Sequence, residues 1–204
     1  MMRKKPMLAY PVSTKPIDYS KLVFMQPKLD GVRCVIQYDA GKVTAYSRTG
    51  KEWKNIDHIL LNLYKFFNKH PNVILDGELY NHNLKDDFEK IISLVRKQKP
   101  TDIDALESAD MVQFHCYDII NKRMKFNTRN KFIKDNLEES YCVKHVDTLT
   151  VFDEEEAQSI HRSNLKKVMK VLYYVLMIYT NVVDHGHYVS LKTFKMLKLQ
   201  SLVI

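Results

Sequence analysis

The fold is decided by residues 22–46, which read LVFMQPKLDGVRCVIQYDAGKVTAY. The apolar run before Gln26 and Pro27 is typical of a short buried strand. A turn with Lys28 and an Asp-Gly pair follows, and two further apolar runs are joined by Asp-Ala-Gly at residues 39–41. This spacing predicts a strand, a turn that carries a lysine, and then a β-hairpin.

Helical and strand patterns are mixed along the rest of the chain. Helical spacing of apolar residues predicts helices over 55–70, 86–97, 127–137 and 153–167. Apolar runs predict strands at 73–75, 111–120 and within 143–152. This mixture, with its hairpins, favours an α+β fold with largely antiparallel sheets flanked by helices.

The composition limits the classes of function. A chain of 204 residues with 45% hydrophobic and 27% charged residues is ordinary for one soluble domain, or for one domain plus a fragment. Lysine and arginine outnumber aspartate and glutamate by 32 to 24, which gives a formal charge of +8. Such a surface suits a polyanion such as nucleic acid, although a solvated basic face explains the charge equally well.

The cysteines and the apolar runs indicate the compartment. Cys34, Cys116 and Cys142 are too widely spaced for a zinc or redox motif, which fits core packing in a reducing cytosol. No apolar signal stretch follows the basic N-terminus, so we expect a cytoplasmic protein that is not secreted. The apolar run at 171–180 is about half the ~20 residues that a spanning helix needs, so no membrane span is expected.

Four short motifs have the residue types for chemistry. Lys28 ends a buried strand, where partial desolvation and nearby cations favour the nucleophilic amine. Glu78 follows an apolar run and suits a sugar hydroxyl or a divalent cation, whereas Tyr117 suits stacking on a purine. Arg33 and Arg48, the latter in a Ser-Arg-Thr-Gly turn, suit phosphates. Each motif alone fits a surface turn or a core aromatic residue equally well.

Together, in order and spacing, these motifs resemble the covalent nucleotidyltransferase superfamily and, within it, the compact viral and phage ATP-dependent DNA ligases. Residues 28–33 (KLDGVR) resemble the Lys-x-Asp-Gly-x-Arg signature called motif I. Residues 76–79 (DGEL) resemble motif III, and Tyr117 with Asp118 resembles motif IIIa. The turn at 47–50 (SRTG) resembles the segment that meets the phosphate of a DNA nick.

The resemblance implies a nucleotidyltransferase domain, that is, an ATP-grasp-like adenylation fold, with ATP and Mg²⁺ as cofactors. Lys28 would accept AMP and pass it to the 5′-phosphate of nicked duplex DNA during repair, replication or recombination. Tyr117 would stack on adenine, Gln26 would accept a hydrogen bond from its amino group, and Glu78 would hold the ribose or assist the metal. The residues assigned to the nucleotide are Gln26, Pro27, Arg33, Arg48, Glu78 and Tyr117. A monomer in the viral or host cytosol is implied.

The family pattern is lost after Lys167. Motif IV, motif V and the C-terminal barrel of the oligonucleotide-binding (OB) type cannot be recognised in residues 168–204. Read one base earlier, the codons from Met169 to Val175 permit Glu-Gly-x-Ile/Val-Leu-Arg, which matches motif IV. We therefore predict an adenylylation domain at 1–167, a frame-shifted tail at 168–204, no OB-fold domain, and weak or absent nick sealing.

Three alternatives stay open. The chain fits an RNA ligase or a GTP-using capping enzyme of the same superfamily, because the motifs are shared. It also fits a non-catalytic nucleic-acid-binding remnant that keeps only its basic face. A tail-anchored membrane protein is the third alternative, because of the apolar run at 171–180.

Overall fold

The computed structural model describes residues 1–2, 4–7, 9–11, 17–84, 88–167, 176–184 and 187–195, and these form two five-stranded sheets with five α-helices. The strands are β1 (Ala9–Pro11), β2 (Val23–Pro27), β3 (Val32–Asp39), β4 (Lys42–Tyr46), β5 (Ile74–Tyr80), β6 (Gln113–Ile119), β7 (Val143–His145), β8 (Leu149–Val151), β9 (Leu176–Asp184) and β10 (His187–Lys195). The helices are α1 (Asp57–Lys69), α2 (Phe88–Val95), α3 (Asp102–Met111), α4 (Phe126–Asn136) and α5 (Glu154–Lys167), with a single 3₁₀ turn at His82–Leu84.

The two sheets separate β2 from β3 and β7 from β8, although each of these pairs is consecutive in sequence. The first has the order β1-β10-β9-β2-β8 and the second the order β4-β3-β5-β6-β7. Described pairings are antiparallel except β1 with β10 and β6 with β7, which confirms the predicted α+β fold with largely antiparallel sheets. Because β2 and β3 belong to different sheets, their connection at 28–31 passes from one sheet to the other.

The main core lies between the second sheet and the helices beside it. Helix α1 buries the apolar stripe Ile59, Leu63, Phe66 and Phe67, at the spacing that predicted this helix. Its members pack in one cluster with side chains of β3, β5, β6, α2 and α4. Burial of such aliphatic and aromatic side chains contributes about 1.5–3 kcal/mol each, so this cluster fixes the sheet that carries most of the predicted motifs.

Two local predictions are wrong in their boundaries. The strand predicted at 73–75 does not stop at Asp76-Gly77 but continues as β5 to Tyr80. The strand predicted within 143–152 is two short strands, β7 and β8, which pair in different sheets. Helix α3 was not predicted, because its Ile103 and Leu106 are exposed and leave no amphipathic pattern.

Gly77 is required by close packing within the second sheet. A Cβ at this position would lie 2.5 Å from the His115 carbonyl oxygen and 2.5 Å from Cε2 of Phe114. Both neighbours belong to β6 and are held by its pairing with β5, so neither can move alone.

We therefore expect Gly77→Ala to lower the free energy of unfolding by about 1–3 kcal/mol or more, because overpacking forces the two strands apart. Urea denaturation followed by circular dichroism measures this loss. The matched control is Gly41→Asn. No atom lies within 4 Å of the Cβ position of Gly41, so this substitution costs only the backbone strain at a φ of +81°, which is smallest for asparagine. Equal stability of Gly77→Ala and the parent chain would contradict the packing argument.

The tail contributes strands to the first sheet. Residues 176–184 form β9, which pairs with β2 and β10, whereas 168–175 fall outside the described residues. No helix in the described ranges is long and apolar enough to cross a membrane. No separate OB-type barrel is found in the part of the chain that the structure describes.

Candidate active site

Lys28 lies in the connection between the two sheets, held on both sides by packing. It follows Pro27, the last residue of β2, and both are half-buried. The next side chain, Leu29, packs on a buried cluster that includes Phe24 and Tyr117. The sequence places a lysine here because an apolar strand must end in a polar turn to leave the core, and the crossing between sheets keeps that turn partly enclosed.

Gly31 brings this connection into close contact with β5. A Cβ at Gly31 would lie 2.3 Å from the Leu79 carbonyl oxygen and 2.7 Å from Cγ of Glu78. The glycine of the Asp-Gly pair is therefore needed for close approach, and it places the backbone three residues after Lys28 directly beside Glu78.

One face of the second sheet carries Arg33, Asp76, Glu78 and Tyr117. Arg33 stands opposite Glu78 in the β3–β5 register. Its Nε donates to Oδ1 of Asp76 at 2.9 Å, and its Nη2 donates to Oδ2 of Asp76 and to the Met7 carbonyl oxygen. The Tyr117 hydroxyl donates to Oδ1 of Asp76 at 3.2 Å. Asp76 is fully buried and therefore organises this face.

A β-bulge lies at Tyr117, beside this face. Asp76 pairs with Asp118 and Gly77 pairs with Cys116, so Tyr117 is the extra residue on β6. Bulges bend a strand and redirect a side chain, and they recur beside functional sites. Alternation from His115, which pairs with Glu78, places Tyr117 on the same face as Glu78 and Asp76, and the bulge sets both Tyr117 and Asp118 opposite Asp76.

The Arg33 guanidinium keeps some hydrogen-bonding capacity. Burial lowers the pKa of Arg33, but the Asp76 carboxylate together with Tyr117 and Glu78 raises that pKa above its usual value. Its Nη1 group makes no hydrogen bond to any described residue, whereas Nε and Nη2 are engaged. Arg33 is thus a permanently charged fork whose Nη1 has no partner among the described residues, which suits an oxygen of a ligand.

Gln26 lies beside the backbone of Tyr117. Its side chain is fully buried, and its Nε2 donates to the Tyr117 carbonyl oxygen at 3.1 Å and to Oγ1 of Thr148 at 2.9 Å. Its Oε1 has no hydrogen-bond partner among the described residues. A buried acceptor without a donor costs free energy, so this oxygen is a candidate for a ligand donor.

Arg48 is the site residue that the structure leaves apart. It is exposed in the turn at 47–51, where the Ser47 N–H donates to the Lys51 carbonyl oxygen at 2.7 Å and Gly50 adopts a φ of +88°. The turn is tied to the sheet through Trp53, whose Nε1 donates to the Arg33 carbonyl oxygen at 3.3 Å. In the described residues, no contact joins the Arg48 side chain to the Arg33 face.

Sequence reasoning missed three supporting features of this site, namely Arg129, Thr148 and Asn130. Asp118 is bound by both Nε and Nη2 of Arg129, at 2.6 Å and 3.0 Å, and both side chains are fully buried. Thr148 and Asn130 hold Gln26 through a hydrogen-bonded chain. An arginine in the helical pattern at 127–137 was a weak signal for the first feature, and no signal in the sequence marks the other two.

The cysteines of the second sheet are core residues. Burial raises the pKa of the Cys34 and Cys116 thiols, and nearby carboxylates raise it further. These thiols remain protonated, which agrees with the role in core packing that their spacing predicted. No group of three or more His, Cys, Asp or Glu side chains that could hold a metal is found in the described ranges.

Comparison with known proteins decides the family. The family model described as "ATP dependent DNA ligase domain" matches residues 6–169. The chain belongs to the ATP-dependent DNA ligase domain family. The match covers motif I, motif III and motif IIIa, the segments that resemble ligases in the sequence, and the fold agrees with a nucleotidyltransferase domain of this family.

A curated relative and two solved structures show how far the likeness extends. The DNA ligase of African swine fever virus (isolate Pig/Kenya/KEN-50/1950) is 30% identical over 150 residues, which are 70% of this chain and 34% of the relative. The ATP-dependent DNA ligase of bacteriophage T7, in complex with ATP, superposes with a TM-score of 0.67 at 14% identity, over 95% of this chain and 69% of that one. Chlorella virus DNA ligase-adenylate superposes with a TM-score of 0.60 at 19% identity, over 92% of this chain and 66% of that one.

The chain spans about a third of the length of the curated relatives that it matches. The two structures share the fold at low identity, so they do not transfer the roles of individual residues. Those roles depend on the geometry of the site in this ligase-family domain.

Proposed function

We propose that this ligase-family domain transfers AMP from ATP to Lys28 and then to the 5′-phosphate of nicked duplex DNA. One observation carries the proposal: the half-buried Lys28 lies between Gln26, which contacts the Tyr117 backbone, and Gly31, which contacts Glu78. A lysine amine in a partly enclosed turn between two sheets suits a nucleophile, because it is positioned by backbone that cannot shift freely.

The chemistry is phosphoryl transfer in three stages. The Lys28 amine attacks the α-phosphorus of ATP, a P–N bond forms, the bond to the bridging oxygen breaks, and pyrophosphate leaves. A 5′-phosphate oxygen of the nick then attacks the same phosphorus and releases the lysine. A 3′-hydroxyl finally displaces AMP and seals the strand. Positioning and charge neutralisation dominate such reactions.

The cluster around Asp76 supports the roles given to the nucleotide-binding residues. The Tyr117 hydroxyl and the Arg33 guanidinium both bind Asp76, which fixes the ring and the fork relative to each other. The unpaired Oε1 of Gln26 fits the amino group of adenine. Stacking of the base on Tyr117 requires the residues that cover this side chain to move, because only 4% of this residue is exposed.

Magnesium fits as a companion of the nucleotide. Mg²⁺ is usually held by one or two carboxylates together with substrate phosphates, so a single carboxylate at Glu78 is compatible with it. When bound, the ion would neutralise charge on the phosphates. Glu78 stands opposite Arg33 in the sheet register, where it would also reach the ribose of a bound nucleotide.

The charge of the chain supports nicked DNA as the partner. The formal charge is +8, and Arg48 and Lys51 are exposed in one turn. Exposed cations bind phosphates in a salt-dependent way and set the register of a protein on a duplex. We further propose a monomer in the viral or host cytosol that acts in repair, replication or recombination.

Incubation with α-labelled ATP and Mg²⁺ tests the first stage. An acid-labile label on the protein supports adenylylation, and its absence after prolonged incubation contradicts it. Parallel reactions with labelled GTP, and with DNA and RNA nicks, separate a DNA ligase from an RNA ligase or a capping enzyme. DNA binding without any label would support the non-catalytic alternative.

We also propose that the tail from about Val168 is out of frame. The shifted codons permit a motif IV sequence, and the family match ends at residue 169, close to this boundary. The pairing of β9 with β2 is neutral on this point, because ladder hydrogen bonds use backbone groups that every sequence supplies. Sequencing of the gene decides between one intact frame and a shifted one.

Weak or absent nick sealing is therefore expected from this polypeptide, because the motif IV carboxylate and the motif V lysines cannot be recognised in residues 168–204. A gel assay with a labelled nicked duplex measures the sealed product. The matched control is the same gene with one base added or removed, so that the Glu-Gly-x-Ile/Val-Leu-Arg reading is restored. Robust sealing by the parent chain, equal to that of the control, would refute the proposal.

A further inference from the structure

The orientation of the Gln26 amide is fixed from outside the site. Its Nε2 faces two acceptors, the Tyr117 carbonyl oxygen at 3.1 Å and Oγ1 of Thr148 at 2.9 Å. A carbonyl oxygen cannot donate, so the group that faces Tyr117 must be the amide nitrogen. The remaining group, Oε1, is buried and has no partner among the described residues.

The Thr148 hydroxyl has no free hydrogen with which to bind a Gln26 amide in the opposite orientation. Its hydroxyl accepts from Nε2 of Gln26 and from Nδ2 of Asn130, each at 2.9 Å, and it donates to the Val146 carbonyl oxygen at 3.4 Å. A hydroxyl supplies one hydrogen and two lone pairs, so these three bonds use all of them. A flipped Gln26 would press Oε1 against lone pairs of both Thr148 and the Tyr117 carbonyl.

We propose that the Asn130–Thr148 pair is a positioning device that holds Gln26 as an acceptor and so makes the site selective for a purine with an amino group at position 6. This inference rests on the proposed function. Adenine offers an N–H to Oε1, whereas hypoxanthine and guanine offer a carbonyl oxygen at position 6. Oε1 of Gln26 and a purine carbonyl oxygen are both acceptors, so neither would be paired in the buried site. Such a loss discriminates strongly between ligands.

The pair acts only through Gln26. Asn130 comes from α4 and Thr148 from the connection between β7 and β8, and within the described residues neither forms a hydrogen bond with Lys28, Arg33 or Glu78. Thr148→Val removes the hydroxyl with little change of shape, and it frees Nε2 from one of its two acceptors. Thr148→Ser keeps the hydroxyl and is the matched control.

The test compares ATP with ITP, which carries a carbonyl at position 6 and no amino group at position 2. The rate of label transfer to the protein is measured against nucleotide concentration for the full chain and both variants. We expect Thr148→Val to reduce the ATP/ITP preference about tenfold, the size of one lost hydrogen bond. The substitution should change the half-saturating nucleotide concentration, with little effect on the rate of label transfer at saturation. Thr148→Ser should keep the parent preference.

A second arm separates failure of the inference from failure of the proposed function. Binding of ATP and ITP is measured by calorimetry in the Lys28→Ala background, with and without the Thr148→Val substitution, and thermal melts serve as a folding check. If no protein is labelled, the proposed adenylylation is refuted. A preference for ATP binding that depends on Thr148 would still support the Asn130–Thr148 positioning device. An unchanged ATP/ITP ratio in Thr148→Val, an equal loss in Thr148→Ser, or absence of nucleotide binding overturns it.

Discussion

Replacing Lys28 by alanine is expected to abolish labelling of the protein by α-labelled ATP, with a loss of at least about 1,000-fold in rate. The amine is the atom that bonds to phosphorus in the proposed reaction, so no neighbouring group can substitute for it. Arginine at position 28 keeps the charge but supplies no free amine, and it should be equally inactive. Single-turnover incubation followed by denaturing gel electrophoresis measures the label even when transfer is slow.

The control for Lys28 is another lysine of the same region. Lys42 is exposed at the start of β4, so Lys42→Ala should label like the parent chain. Melting curves for all three variants show whether the fold is retained. A folded Lys28→Ala protein that still acquires an acid-labile label at the parental rate would refute the role of Lys28 and the proposed mechanism with it.

Replacing Arg129 by methionine is expected to lower the free energy of unfolding by about 3–5 kcal/mol. Arg129 and Asp118 are both fully buried, and the guanidinium also donates to the Met124 carbonyl oxygen. Methionine leaves the Asp118 carboxylate in the core without its counter-charge, and such a charge is costly in low dielectric. Since whole domains are stable by about 5–15 kcal/mol, this loss is large, and urea denaturation measures it directly.

Two variants distinguish the buried charge from a general effect on α4. Lys131→Met removes an exposed partner of Asp135 from the same helix, and it should change stability by less than about 1 kcal/mol. The double variant Asp118→Leu with Arg129→Met removes both buried charges and should recover part of the loss. If Arg129→Met costs no more than Lys131→Met, the buried ion pair does not stabilise the fold.

The local predictions succeeded where periodicity is strong. Helix α1 was predicted because its apolar residues recur at helical spacing, and they are buried as expected. Helix α3 was missed because it exposes Ile103 and Leu106. Its signal was the capping box of Thr101 with Asp104, in which each side chain bonds the other's backbone N–H.

The candidate site was predicted residue by residue but not as an arrangement. Lys28, Glu78 and Tyr117 could be selected from their motifs, whereas the role of Asp76 could not, because Asp-Gly was interpreted as a turn. The structure shows a continuous strand in which Gly77 leaves room for β6, and Asp76 binds Arg33 and Tyr117. The predicted domain boundary near 167 and the frame shift stay predictions.

The sequence alone determined the α+β class, most of the helices, and the lysine turn that identifies the family. Only the tertiary structure decided that β2 and β3 lie in different sheets, that a bulge sets Tyr117 and Asp118 opposite Asp76, and that Thr148 holds Gln26 from 122 residues away. The reason is physical. Turn chemistry and apolar spacing act over a few residues, but strand order and register are set by burial of the whole core, and distant side chains meet only after that burial is complete.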